Sequence, residues 1–245
     1  MKKLIVLIII LSCGLIFAEY PDGNTILQKI DDNMYSKQVV STMQMIVYGN
    51  RVNKTMKLKS WSEGEERSFS EYLFPPKDAG TKMLKLGDDL WIFEPEADRT
   101  IQISGHMLRQ SMMGSDLSYE DMMEETELLK LYDANVIGEE EFNESDCWIL
   151  ELTAKINDVA YQTRKIWVDK EKYLALKEER FGKSGTLLKT TEIKEVFKVD
   201  GRWYPKRIII KDALKEGKGT EIIFDEIKFD VKIPAIKFSK ASLRK

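Results

Sequence analysis

The chain's single histidine, His106, is its only side chain whose ordinary pKa falls near neutrality. A nucleophilic triad would need that imidazole held by a carboxylate beside a hydroxyl, and Ser104, Ser111 and Asp116 are the nearest candidates along the chain. Triad members are defined by spatial roles, which closeness in sequence does not supply. Nothing else around His106 completes a catalytic constellation, so a packed or solvated histidine is expected and no catalytic residue is assigned. Metal chemistry fares no better. With Cys13 in the segment expected to be removed, one histidine and the one retained cysteine, Cys147, cannot build the tetrahedral N/S sites that zinc prefers. Glu120, Asp121, Glu124, Glu125 and Glu127 follow no calcium-loop spacing and are expected on the wet face of a helix. No phosphate-cradling glycine loop or dinucleotide fingerprint occurs, and no metal or cofactor is expected.

Soft apolar surface is what stands out. Five of the eleven methionines, Met107, Met112, Met113, Met122 and Met123, fall between positions 107 and 123. Methionine is unbranched and polarizable, and such clusters serve surfaces that accept varied apolar partners. They also fill gaps in ordinary cores, and both readings stand at this point. Aromatic residues recur through the rest of the chain, among them Trp61, Phe69, Tyr72, Phe74, Trp91, Phe93, Tyr161, Trp167, Trp203 and Tyr204. By strand parity Trp91 and Phe93 share a face, as do Tyr161 and Trp167. Large inward side chains either fill a small barrel or line the cavity of a larger one.

The elements that must hold these groups are mostly strands. Thr25 to Tyr35 has Ile26, Leu27, Ile30 and Met34 at helical spacing, with Asn24 or Thr25 as the cap. From Val39 the period changes to two, punctuated at Gly49-Asn50, Glu63-Gly64, Gly87-Asp88, Gly182 to Gly185, Asp200-Gly201 and Gly217 to Gly219. Strands are predicted near 38–48, 52–62, 66–74, 81–86, 89–94, 99–104, 133–140, 147–155, 159–168, 173–181, 186–198, 202–211 and 219–230, with neighbours antiparallel. Period two disappears over 105–131. There Tyr119, Met122, Met123, Thr126 and Leu129 share one helical face, and Ser118 with Asp121 approximates a capping box. A helical insertion is predicted in the middle of a long antiparallel sheet.

Residues 1–18 read as a secretory signal peptide: Lys2 and Lys3, the aliphatic run Leu4 to Leu11, then Ala18 before a polar turn. The apolar stretch of about 14 residues is short of the roughly 20 that span a bilayer. Ile10-Leu11-Ser12-Cys13 also resembles a bacterial lipobox. Because Leu11 is bulky and the apolar run continues past Cys13, a soluble mature chain is expected, with lipid anchoring through Cys13 as the lesser alternative. The formal charge is −3, from 38 Lys and Arg against 41 Asp and Glu, and loss of Lys2 and Lys3 with the leader takes it to −5. Interspersed charge with an acidic balance gives no footing for nucleic acid. With no composition break or repeat, residues 19–245 are expected to form one domain with no internal disulfide.

Gly114 to Met122, GSDLSYEDM, resembles a motif of the outer-membrane lipoprotein-sorting family related to LolA and LolB. Glu71-Tyr72-Leu73-Phe74-Pro75-Pro76 with Gly80-Thr81-Lys82-Met83-Leu84, Leu90-Trp91-Ile92-Phe93-Glu94-Pro95 with Arg99, Asp200-Gly201-Arg202-Trp203-Tyr204-Pro205, and Ile233-Pro234 with Phe238 resemble further elements of it, in order, over most of residues 20–243. The resemblance implies a mainly β (α+β) fold, a strongly curved, incomplete antiparallel β-barrel with helices lidding its open side. It implies a non-enzymatic periplasmic carrier, a monomer, whose apolar hollow holds the acyl chains of a lipoprotein or another lipid. An inner-membrane exporter of the RND or MMPL type and an outer-membrane acceptor are the implied partners. Parity and the resemblance together give Trp61, Phe69, Tyr72, Leu84, Trp91, Phe93, Met107, Met112, Met113, Met122 and Trp167 as ligand-lining residues, with Arg99 and Arg109 as candidates for a lid-latching arginine. Two other classes compete: an envelope-assembly or exporter-associated interaction module with a filled barrel core, and a hydrolase that works through carboxylates.

Overall fold

The computed structural model describes residues 20–49, 51–124 and 127–244. The leader with Cys13, and Glu125 and Thr126 of the insertion, lie outside the described residues. The alternating pattern becomes β1 (Gln38–Val47), β2 (Lys54–Glu63), β3 (Arg67–Phe74), β4 (Lys82–Leu86), β5 (Asp89–Glu94), β6 (Arg99–Ile103), β7 (Tyr132–Phe142), β8 (Ser145–Ala154), β9 (Thr163–Asp169), β10 (Ala175–Phe181), β11 (Leu187–Val199), β12 (Arg202–Asp212) and β13 (Thr220–Phe229). They form one antiparallel sheet in the order β6-β5-β4-β3-β2-β1-β13-β12-β11-β10-β9-β8-β7. Pairing of β1 with β13 joins an N-terminal half-sheet to a C-terminal one. The sheet does not close. Its edges, β6 and β7, are consecutive in sequence, so the connection between them, 104–131, is the stretch where period two disappears.

The turn chemistry explains the register. Between β11 and β12, Asp200 (φ 50°) and Gly201 (φ 82°) take the paired left-handed conformation of a tight hairpin, which glycine and aspartate tolerate best. The largest shift at a strand start is in β9, which begins at Thr163; just before it the Tyr161 carbonyl accepts from the Tyr132 hydroxyl at 2.8 Å.

Helix α1 (Gly23–Met34) starts two residues earlier than its spacing predicts, because Asp22 is the cap, accepting from the Thr25 amide at 2.8 Å. Asn24 is used differently, accepting from the Ala134 amide at 2.8 Å and so docking α1 on β7. The approach is close enough that a Cβ on Gly23 would sit 2.3 Å from the Ala134 oxygen. Ile26, Leu27 and Ile30 pack on Tyr132, Leu150, Leu152 and Ile166. The insertion is not one helix: two 3-10 turns (Gly105–Arg109 and Met112–Gly114) precede α2 (Tyr119–Met123) and α3 (Leu128–Leu131). The capping box at Ser118 forms, with the Asp121 amide donating to Ser118 Oγ at 3.2 Å and Asp121 accepting from the Ser118 amide at 2.6 Å. No helix among the described residues is long and apolar enough to cross a membrane.

The two faces of the sheet are covered differently. One, the helical face, carries α1 and the insertion. The other carries the C-terminal turns Ala235–Phe238 and Lys240–Arg244, laid over β2 to β5. Side chains alternate across a strand, so Leu90 and Ile92 meet the insertion while Trp91 and Phe93 meet the C-terminal segment. Ile233, Phe238 and Leu243 are buried there. At about 1.5–3 kcal/mol for each large apolar side chain buried, those residues make the C-terminus part of the core.

Candidate functional site

The insertion rests on the helical face over two cavities. The larger, about 550 Å³, lies between the first 3-10 turn and the edge hairpin β5–β6, with Ile92, Ile101, Ile103, Met107, Met113 and Tyr119 as its apolar walls and Asp78, Glu94 and Arg99 at its rim. The second, about 290 Å³, lies between the end of α1 and α2, lined by Met34, Val39, Met43, Met122, Tyr204, Phe224 and Ile227, together with several serines, Lys85, Glu65 and Glu124. The smaller falls just below, and the larger within, the roughly 300–1,000 Å³ usual for small-molecule sites. The question raised by the methionine cluster has a divided answer. Met112 is core, 3% exposed, whereas Met107 and Met113 line the larger cavity and Met122 the smaller.

The insertion is fastened to the sheet by charge. Register places Arg164 of β9 opposite Arg180 of β10, and Arg180 opposite Lys189 of β11, so three cations stand in one cross-strand row on the helical face. Like charges directly opposite repel. The sheet supplies one carboxylate to offset them, Glu178, which accepts from Arg164 and from Arg180 at 2.8 Å each. The insertion supplies two more. Glu124 pairs with Arg164, and Asp121 pairs with Lys189 while accepting from the Tyr161 hydroxyl at 2.6 Å. Three cations then face three carboxylates, and all but the Arg180, Glu124 and Glu178 side chains are less than a tenth exposed. Burial works against the charged form of Asp121, but Lys189 and the hydrogen bonds from Lys189, Tyr161 and the Ser118 amide hold its carboxyl below the usual range. For Glu178, burial is outweighed by Arg180 and Arg164, and its pKa falls to about 2. Burial pulls Arg164 down to about 10 despite Glu178. A second tie lies at Asp116, which accepts from the Thr220 hydroxyl at 2.7 Å and from the Asp212 amide at 3.0 Å. The GSDLSYEDM stretch is therefore the fastening of the insertion.

Several expectations are corrected by this geometry. Asp121 and Glu124 were expected in water; they face the sheet, because the cationic row requires them. Tyr161 and Trp167 do not share a face: Tyr161 reaches Asp121 on the helical face, whereas Trp167 lies on the opposite one beneath Lys165 and Lys177. Arg99 pairs with Glu94 at 2.8 Å inside its own hairpin and Arg109 is exposed, so neither fastens the insertion to the sheet. His106 is exposed, Ser111 accepts from Lys215, and Asp116 is engaged as above, so no triad assembles. Of the eleven ligand-lining candidates, Tyr72, Met107, Met112, Met113 and Met122 lie on the helical face. Trp61, Phe69, Leu84, Trp91 and Phe93 lie on the other, under the C-terminal segment, as a cross-strand row through Trp61, Phe69, Leu84 and Trp91. Parity groups residues into faces, but in β2 to β5 both faces are apolar, so the candidates divide between the insertion and the C-terminal segment, where Trp61 and Phe69 line a cavity of about 380 Å³. The ionic row was missed, although its signal is present: Arg164 has the parity of Ile166 and Val168, a charge at a core position.

A protein-family model described only as "Uncharacterized protein" matches residues 64–245. No curated protein matches the chain. Among solved structures, a DUF1329 family protein from Desulfovibrio piger is 27% identical with a TM-score of 0.83, covering 90% of this chain and 97% of that one. A putative outer membrane lipoprotein-sorting protein domain from Vibrio parahaemolyticus is 25% identical, TM-score 0.79, over 91% and 98%. A LolA superfamily protein from Nitrosomonas europaea is 26% identical, TM-score 0.73, over 91% and 100%. The chain belongs to the family whose model spans residues 64–245, and its open antiparallel sheet with bridged edges is the fold of its LolA superfamily and outer-membrane lipoprotein-sorting neighbours.

Proposed function

We propose that this protein is a periplasmic carrier that takes up the acyl chains of a lipoprotein or another lipid on its helical face and moves them between the envelope membranes, with the 105–131 segment as its lid. The observation that carries this reading is the manner in which that segment is held. A segment that only filled a core would be packed throughout by apolar contacts. This one stands over two cavities with Met107, Met113 and Met122 on their walls, and is tied at Asp116, Asp121 and Glu124. Each acyl CH₂ left in water costs about 0.8 kcal/mol, so a lipid in transit needs such an enclosure. Charges matched only while the segment is seated give it a discrete docked arrangement, which cargo or a membrane partner can bias against an undocked one. An inner-membrane exporter as donor and an outer-membrane acceptor complete the route.

Native mass spectrometry of the protein purified without detergent, followed by lipid extraction, tests this. A stoichiometric lipid adduct is expected in the wild type and should be lost in Met122→Asp and Met113→Asp. Trp91→Asp, on the opposite face, is the control for general destabilisation. A clean apo mass with no uptake of added acylated peptide or phospholipid would overturn the carrier reading in favour of a filled interaction module.

A further inference from the structure

We infer that the 290 Å³ cavity receives the neutral polar linkage of the cargo, its ester or amide carbonyls, on a floor of serine hydroxyls; this deepens the carrier reading above and rests on it. Ser41 of β1, Ser62 of β2 and Ser68 of β3 all line that cavity. Ser62 is paired across the strands with Ser68, and Ser68 with Lys85 of β4. One position along, Ser60 and Ser70 bond each other at 3.0 Å and so satisfy themselves. The three cavity serines do not: among the described residues none of their hydroxyls has a hydrogen-bond partner, and Ser41 is only 6% exposed.

These hydroxyls open onto the cavity with no protein partner, so a bound polar group can take the place of water on them. A hydroxyl can donate to a carbonyl and accept from an amide N–H, so an acyl ester or amide linkage would satisfy all three at once. Further along the same face the residues become Met45, Met56 and Leu58, which offer no such partner. The face is thus divided, polar beside the end of α1 and apolar under the first half of the insertion. The charged groups of the small cavity, Lys85, Glu65 and Glu124, give it no cationic excess, which argues for a neutral linkage over a phosphate.

The test compares two probes, 1,2-dioctanoylglycerol and dodecane, by titration calorimetry against the protein produced from the full chain. The wild type is expected to prefer the diester. Ser41→Ala, Ser62→Ala and Ser68→Ala together should weaken the diester by tenfold or more, on the basis of about fivefold per hydroxyl bond, while dodecane changes by less than about twofold. Ser62→Thr, which keeps the hydroxyl, should retain the preference and so separates lost bonds from lost folding. An equal loss for both probes, or none for the diester, would overturn the serine floor. Equal wild-type affinity for the two probes would sink this inference alone; binding of neither probe would sink the carrier reading with it.

Discussion

Asp121→Asn should loosen the insertion from the sheet, and its cost follows from the geometry. The Asp121 and Lys189 side chains are 3% and 6% exposed. The amide keeps the shape of the carboxylate but leaves the Lys189 ammonium buried in a row that already contains Arg180 and Arg164. Removing one partner of a buried pair costs about 3–5 kcal/mol, because the remaining charge is neither hydrated nor matched. In urea that corresponds to a midpoint lowered by about 1–2 M. Lys189→Met should cost less, since Asp121 keeps Tyr161 and the Ser118 amide, and Arg180 stands 3.6 Å away. The double variant should recover at least about 2 kcal/mol of the sum, the coupling of a true pair. Urea melts by tryptophan fluorescence, with hydrogen exchange over 115–124, provide the readouts. The sign with pH is fixed as well. Asp121 and Glu178 have depressed values, so their contribution is present above the ordinary carboxylate range and is lost as pH falls through the depressed ones, toward about 2 for Glu178. A midpoint change under about 0.3 M for Asp121→Asn, or strict additivity in the double variant, would refute the charge-fastening argument.

Three further outcomes are expected. Phe238→Ala should destabilise by about 3–5 kcal/mol without loss of lipid, because Phe238 is 7% exposed on the face opposite the insertion; denaturant melts paired with lipid extraction check both halves. Burial, outweighing the Leu129 and Leu128 amides, raises Asp31 from 3.8 to about 6, so its contribution is full below 3.8 and is lost as pH rises through about 6. Asp31→Asn, which keeps an acceptor for one of those two amides, should flatten the change of thermal stability with pH across that window, read by melts from pH 3.5 to 7.5. Gly23→Ala places a Cβ 2.3 Å from the Ala134 oxygen, and α1 should lose its seat on β7, a destabilisation of about 1–3 kcal/mol read from denaturant melts.

What the sequence by itself determined is the part governed by local rules. Period-two alternation with turn residues at short intervals specifies thirteen strands and their antiparallel neighbours, because pleat and hairpin geometry are set within a few residues. The Ser118–Asp121 cap and the helical spacing of Ile26, Leu27 and Ile30 are local in the same way. Even the interruption at 105–131 was legible as the place where that alternation fails. Tertiary structure alone decided the rest. Which apolar face of β2 to β5 meets the cavities depends on where the C-terminal segment lands, more than 130 residues beyond those strands. Asp121 finds Lys189 and Glu124 finds Arg164 only once β9, β10 and β11 are in register. A charge in sequence has no burial and no partner; both come from elements distant along the chain. The sheet therefore decided whether each acid faced water or a cation, and whether each aromatic faced the insertion or the C-terminal segment.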